Sequence, residues 1–317
     1  MTDKIKIPLF ITLGVAAGVL LTFGLMSLKA DNDSTKQEHK EIPQSPTSSQ
    51  PYVPDEIIFC GERVPLENFD VYEALDYELV VNMYRHSATI TYLKKAKRYF
   101  PEIEKVLKEN NIPDDLKYLC VAESGLSNVV SPAGATGFWQ FMKSAANEYG
   151  LRIDTNIDER YNHHKSVVAA CKYFKDAYKK FKSWTLVAAS YNMGMGGLSK
   201  SIDNQKVDNY WDLLLNQETA RYVYRIIALK LVMENPSTYG FDLDEKDLYD
   251  EIETYTVTID TTISDLTQFA LDNGSNLKML KHFNPWLRSN TLPNQSRKEY
   301  EIELPKKGVR PCKTIKQ

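Results

Sequence analysis

A carboxylate on the apolar face of a helix is a candidate acid catalyst, and Glu123 occupies such a place. In the run Pro113-Asp114-Asp115-Leu116-Lys117-Tyr118-Leu119-Cys120-Val121-Ala122-Glu123 it falls seven residues after Leu116, four after Leu119 and three after Cys120. Those offsets bring the four side chains to one side of a 3.6-residue helix. Burial there disfavours the charged form, and carbonyl oxygens of the nearby helix C-terminus disfavour it further. Both effects favour the protonated carboxyl that a general acid needs near neutral pH. Taken alone, a buried helix-end carboxylate paired with an arginine accounts for the position equally well.

The elements that must hold this acid are helical. Leu93, Ala96, Phe100, Ile103 and Leu107 form one apolar stripe, ended by Asn110-Asn111 and Pro113. Phe138, Phe141, Met142, Ala145 and Tyr149 predict a second helix, closed by Gly150. Val167, Cys171, Phe174, Tyr178 and Phe181 predict a third, and Tyr222, Ile226, Leu229 and Met233 a fourth that stops near Pro236. After a polar, acidic stretch at 242–253 the pattern changes. Tyr255 to Ile259 alternates like a strand, Ile263 to Leu271 and Leu277 to Phe283 read as short helices, and Tyr300 to Pro305 reads as a closing strand. A β-α-α-β unit of this size is a small module of its own.

At 317 residues and 43% hydrophobic, the chain can bury a sizeable core and a second, smaller one. Its 39 basic and 42 acidic residues balance to a net charge of -3, which excludes the basic excess of a nucleic-acid binder. Residues 7–28 carry no charge, follow Lys4 and Lys6, and precede Lys29. They are long enough to span a bilayer, and the lysines place the N-terminus in the cytoplasm and the rest of the chain outside it. Leu28 stands three places before a cut after Ala30, which suits an uncleaved anchor better than a signal peptide. Cys60, Cys120, Cys171 and Cys312 form no C-x-x-C pair, and Cys120 and Cys171 fall on apolar stripes as small core residues do.

Four segments then line up in order. Glu123-Ser124 ends one helix, and Gly137-Phe138-Trp139-Gln140 opens another. Ala189-Ser190-Tyr191-Asn192 precedes the glycine-rich Gly194-Met195-Gly196-Gly197, and Glu218-Thr219-Ala220-Arg221-Tyr222-Val223 starts the last long helix. Over roughly residues 65–235 this set resembles the lytic transglycosylases of the soluble type, which have a lysozyme-like (goose-type) helical catalytic domain. Phe138 stands where that family has Leu, and Ser190 interrupts its Ala-Tyr-Asn. The resemblance implies cleavage of the β-1,4 bond between N-acetylmuramic acid and N-acetylglucosamine without water, leaving a 1,6-anhydro end. It assigns Glu123 the role of acid and then base, and Ser124, Gln140, Tyr191, Asn192 and Tyr222 the binding of substrate. Glu123 is the single carboxylate among the residues so assigned. The family's substrate-assisted chemistry implies that the sugar's acetamido group replaces the second one. Residues 255–306 look like a LysM module, with Asn284-Pro285 and the closing Tyr-x-Ile-x-Leu-Pro; Asp260-Thr261-Thr262-Ile263 replaces the usual Gly-Asp-Thr-Leu.

The expected fold is thus mainly α, with a β-α-α-β module. The expected organisation is an anchor or signal segment at 1–29, a flexible linker at 30–56 and a catalytic domain at 57–240. A linker at 241–254, the LysM-like module at 255–306 and a tail at 307–317 follow. The partners implied are peptidoglycan glycan strands, and the membrane through the N-terminal segment. No cofactor and no metal is implied, since the neighbours His163 and His164 point to different helix faces. Asp158-Glu159-Arg160 reads as a structural charge cluster, and Gly194, Gly196 and Gly197 as a helix exit. Trp139, Trp184 and Trp211 are candidates for sugar stacking or core, and Tyr222 for site or core. A water-using muramidase of goose type and a non-catalytic wall-binding protein are the alternative functions.

Overall fold

A computed structural model describes residues 50–310; the apolar segment 7–28 and Cys312 lie outside the described residues. A small hairpin, β1 (Ile58–Phe59) and β2 (Glu62–Arg63), comes first. Two long helices follow, α1 (Phe69–Tyr84) and α2 (His86–Glu109). A single 3-10 turn (Asp114–Leu116) leads into α3 (Lys117–Ser124). Then come α4 (Lys143–Glu148), α5 (His163–Phe181), α6 (Trp184–Met193), α7 (Met195–Gln205) and α8 (Gln217–Glu234). The C-terminal module is β3 (Thr254–Ile259), α9 (Leu266–Asp272), α10 (Leu277–Phe283) and β4 (Tyr300–Pro305).

Helix α8 is the hub, packing against α1, α3 and α6. The sequence predicts one apolar stripe on it, but burial extends around the helix: Val223, Tyr224, Ile227, Ala228 and Val232 are buried along with Tyr222, Ile226 and Leu229. Each fully buried Val or Ile contributes roughly 1.5–3 kcal/mol. Asn216 caps the start by accepting the amide of Thr219 at 3.0 Å. Asn162 does the same for α5, accepting from Lys165 at 2.9 Å.

The expected helix over 138–149 is shortened to Lys143–Glu148. Residues 136–141 form instead a turn closed in both directions between Thr136 and Phe141, at 3.1 and 3.2 Å. The reason is local backbone geometry: Gly137 and Gln140 have φ of 85° and 48°, values no right-handed helix accepts. Met142, expected on the buried stripe, is 45% exposed.

In the module, β3 and β4 pair antiparallel from Thr254 opposite Pro305 to Ile259 opposite Tyr300. Tyr300, Ile302 and Leu304 face inward, as alternation predicts. The first module helix begins at Leu266 rather than Ile263. Asp265 caps it through the amide of Thr267 at 2.7 Å, and Ile263 bridges Leu292. Among the described residues no helix is long and apolar enough to cross a membrane.

Candidate active site

Leu116, Leu119 and Cys120 are fully buried beneath α3, so Glu123 reaches the end of that apolar row as the sequence predicts. Gly125 then stops the helix in the left-handed conformation, φ 57°, with the Tyr92 ring 2.3 Å from where a Cβ would stand. Glu123 itself is partly exposed, at the edge of the packed interior. Its direct partner is not an arginine but Tyr222 of α8, whose hydroxyl donates to Glu123 Oε1. Arg225, one turn further on, lies 3.8 Å from the buried Glu78 of α1.

Burial is the main influence on Glu123 and raises its carboxyl to about 7. The Tyr222 hydrogen bond opposes the rise, the charge of Glu218 adds to it, and Arg225 opposes it more weakly. The hydroxyls of Tyr222 and Tyr191 are both held well above the ordinary tyrosine value, by burial first and by the Glu123 charge second. Both therefore remain hydrogen-bond donors at neutral pH.

Tyr191 and Asn192 arrive on α6, whose start is fixed by Glu62 of β2. That carboxylate accepts from the amides of Trp184 and Thr185, the latter at 3.0 Å, where a helix N-terminus favours negative charge. Tyr191 donates to the backbone oxygen of Trp139 at 2.7 Å, tying α6 to the 136–141 turn. Asn192 donates to Glu218 at 3.1 Å and accepts from the Thr219 hydroxyl at 2.7 Å. Ser124 turns its hydroxyl to the Cys120 carbonyl at 3.3 Å, and the Gln140 amide donates to Gly137 and Val129 at 2.7 and 3.0 Å. The structure thus joins Glu123 directly to Tyr222 and sets Tyr191 within its electrostatic reach. Asn192 joins the neighbouring Glu218 cluster, and the donors of Ser124 and Gln140 shape local backbone.

Glu218 and Arg225 are missing from the site as read in sequence. A signal was present: they stand four residues before and three after Tyr222, on its side of a helix. The remaining sequence readings sort themselves by burial. Trp139 is core, edge-on to Phe174, while Trp184 stacks on Tyr178 and Trp211 packs on Tyr210 and Tyr224. His163 lies against Tyr99 and Phe138, with burial lowering it to about 4, whereas the exposed His164 turns to Glu102. Gly194 is the C-cap of α6, and Cys120 and Cys171 are buried thiols.

Residues 100–214 match the family model of the transglycosylase SLT domain, and residues 255–308 that of the soluble lytic transglycosylase C-terminal LysM-like domain. The chain carries an SLT transglycosylase domain. It is 29% identical over 258 residues to the membrane-bound lytic murein transglycosylase D of Escherichia coli strain K12. The protein of the same name from E. coli O6:H1 gives the same figure. Each alignment covers 78% of this chain and 55% of the relative, so the chain spans about half the length of these relatives. Glu123, Gln140, Tyr191 and Asn192 lie inside the SLT match, whereas Tyr222 and Glu218 lie beyond its end. The contact between Glu123 and Tyr222 therefore joins the SLT core to a helix outside the matched span.

Proposed function

We propose that the protein is a peptidoglycan lytic transglycosylase in which Glu123 is the general acid and then the general base. The protonated carboxyl gives its proton to the oxygen linking N-acetylmuramic acid to N-acetylglucosamine, and the C1–O4 bond breaks. The carboxylate so formed takes the proton of the muramic 6-hydroxyl as O6 bonds to C1, leaving the 1,6-anhydro end. Protons balance on Glu123 alone, and no water is consumed. The observation that carries this reading is the Glu123 carboxyl, held near 7 by burial while a tyrosine hydroxyl occupies one of its oxygens. The SLT match and the lytic murein transglycosylase names of the relatives support it. In this reading Ser124, Gln140, Tyr191, Asn192 and Tyr222 line the glycan's path, and the LysM-like module lies against the same polymer. The protein would work at the cell envelope, on the periplasmic side, held by the segment at 7–28.

Glu218 favours one alternative, a muramidase in which a second carboxylate directs water. Digestion of purified peptidoglycan followed by mass analysis separates the two. The transglycosylase releases muropeptides lighter by one water than reducing-end products; reducing ends alone would overturn the proposal.

A further inference from the structure

The turn at 136–141 is bonded inward to the two helices that present the site. The Cys120 thiol of α3 lies 3.4 Å from the Phe138 carbonyl, and Tyr191 of α6 holds the Trp139 carbonyl. Outward, the same turn rests on Arg160. Its guanidinium donates to the Gly134 and Phe141 carbonyls, both at 3.1 Å, and grips Asp158 with two bonds of 3.0 and 2.8 Å. The Arg160 carbonyl also sits 2.1 Å from where a Cβ on Gly137 would be, so backbone packs directly on backbone there.

Asp158 and Arg160 belong to a stretch that the C-terminal module has made its own. Ile157 is fully buried in the module's core with Leu287, not in the core of the helical domain. The two segments pair as strands do: the Asp158 amide donates to the Trp286 carbonyl at 2.9 Å, and the Arg288 amide to the Asn156 carbonyl at 2.7 Å. Arg288 covers the Tyr161 ring at 4.3 Å, and Arg152 donates to the Tyr300 hydroxyl. A module on a free tether would need none of these contacts.

We infer that the C-terminal module braces the active-site turn, with Arg160 as the positioning residue through which docking at Ile157–Leu287 reaches residues 136–141. The inference rests on the proposed reading of the Glu123 site for its effect on turnover, but not for its effect on the turn. The module then serves the catalytic step itself as well as any hold on glycan.

The test uses the full chain with Leu287→Ser, which removes the apolar contact to Ile157, and separately Asp158→Asn, which loosens Arg160 while leaving the module's own residues intact. Hydrogen exchange is followed at the amides of Thr136, Gly137 and Phe141. Cleavage is followed on a soluble tetrasaccharide. In both variants the turn amides are expected to exchange at least about tenfold faster, while Ile226 and Ile227 in α8 keep their protection. For the tetrasaccharide, kcat is expected to fall by about tenfold or more with KM within about twofold, the pattern of lost positioning rather than lost binding. Arg160→Lys, which keeps the charge but not the fork, is expected to behave like Asp158→Asn. Unchanged exchange at the turn in Asp158→Asn overturns the brace, as does wild-type kcat in both variants. Absence of cleavage by the unaltered protein would sink the proposed function instead, and the exchange measurement would still decide the brace.

Discussion

Replacing Glu123 with Gln tests the chemistry and the electrostatics together. The amide keeps nearly the same volume and still accepts from Tyr222, so packing is preserved and only the titrating proton is lost. A carboxyl moved from its ordinary 4.5 to about 7 corresponds to at most about 3–4 kcal/mol at roughly 1.4 kcal/mol per pH unit. The folded value lies above the unfolded one, so native and unfolded chains are both protonated below pH 4.5, and the full contribution of the neutral carboxyl is present there. Between 4.5 and 7 the unfolded chain gives up the proton while the native chain keeps it, and stability falls as pH rises. Above 7 the native chain carries the buried charge and the loss is complete. Glu123→Gln removes this dependence. Its advantage over the unaltered protein, measured by denaturant unfolding, should therefore grow from pH 4.5 to pH 7 and level off at about 3–4 kcal/mol or below. Peptidoglycan cleavage should fall by about 10²–10⁴-fold at every pH, the usual worth of a general acid–base group. A variant that cleaves at near the normal rate would refute the assignment of Glu123. A stability difference that is the same at pH 4 and pH 8 would refute its raised titration.

The neighbours should move the same titration in opposite directions. Tyr222→Phe removes the hydrogen bond that favours the carboxylate, so the alkaline limb of the pH–rate profile should shift upward, with a stability cost of about 1 kcal/mol. Glu218→Gln removes the repelling charge and should shift that limb downward; a shift of the same sign in both variants would contradict the arrangement. Gly137→Ala forces a side chain into a left-handed position against the Arg160 carbonyl. It should cost about 2 kcal/mol or more in denaturant unfolding and lower turnover, and wild-type stability would show that the backbone contact is not needed.

The parts of the fold that were legible in sequence are those governed by local periodicity. Residues on one helical face or one strand face share a burial that repeats every 3.6 or 2 positions. The long helices at 86–109, 163–181 and 217–234 and the inward row Tyr300, Ile302, Leu304 could therefore be placed from spacing. Glu123 was visible for the same reason, as a polar residue breaking an apolar row. The turn at 136–141 was not, because its apolar spacing suits a helix while Gly137 and Gln140 take left-handed φ values and the Phe141 carbonyl is held by the distant Arg160.

Glu123's surroundings also needed the folded chain. Tyr222 stands 99 residues away, and no periodicity says which hydroxyl a carboxyl will meet. Glu218 had the right offset from Tyr222, but only the packing of α8 against α3 makes its charge felt at Glu123. Ile157 carries no mark in the sequence that it belongs to the C-terminal core. Sequence by itself determined the helices and strands whose burial repeats regularly, the carboxylate that ends one apolar row and the type of module that follows. Tertiary structure decided which groups surround the acid and what supports the turn beside it, because burial and charge depend on distances that chain order does not contain.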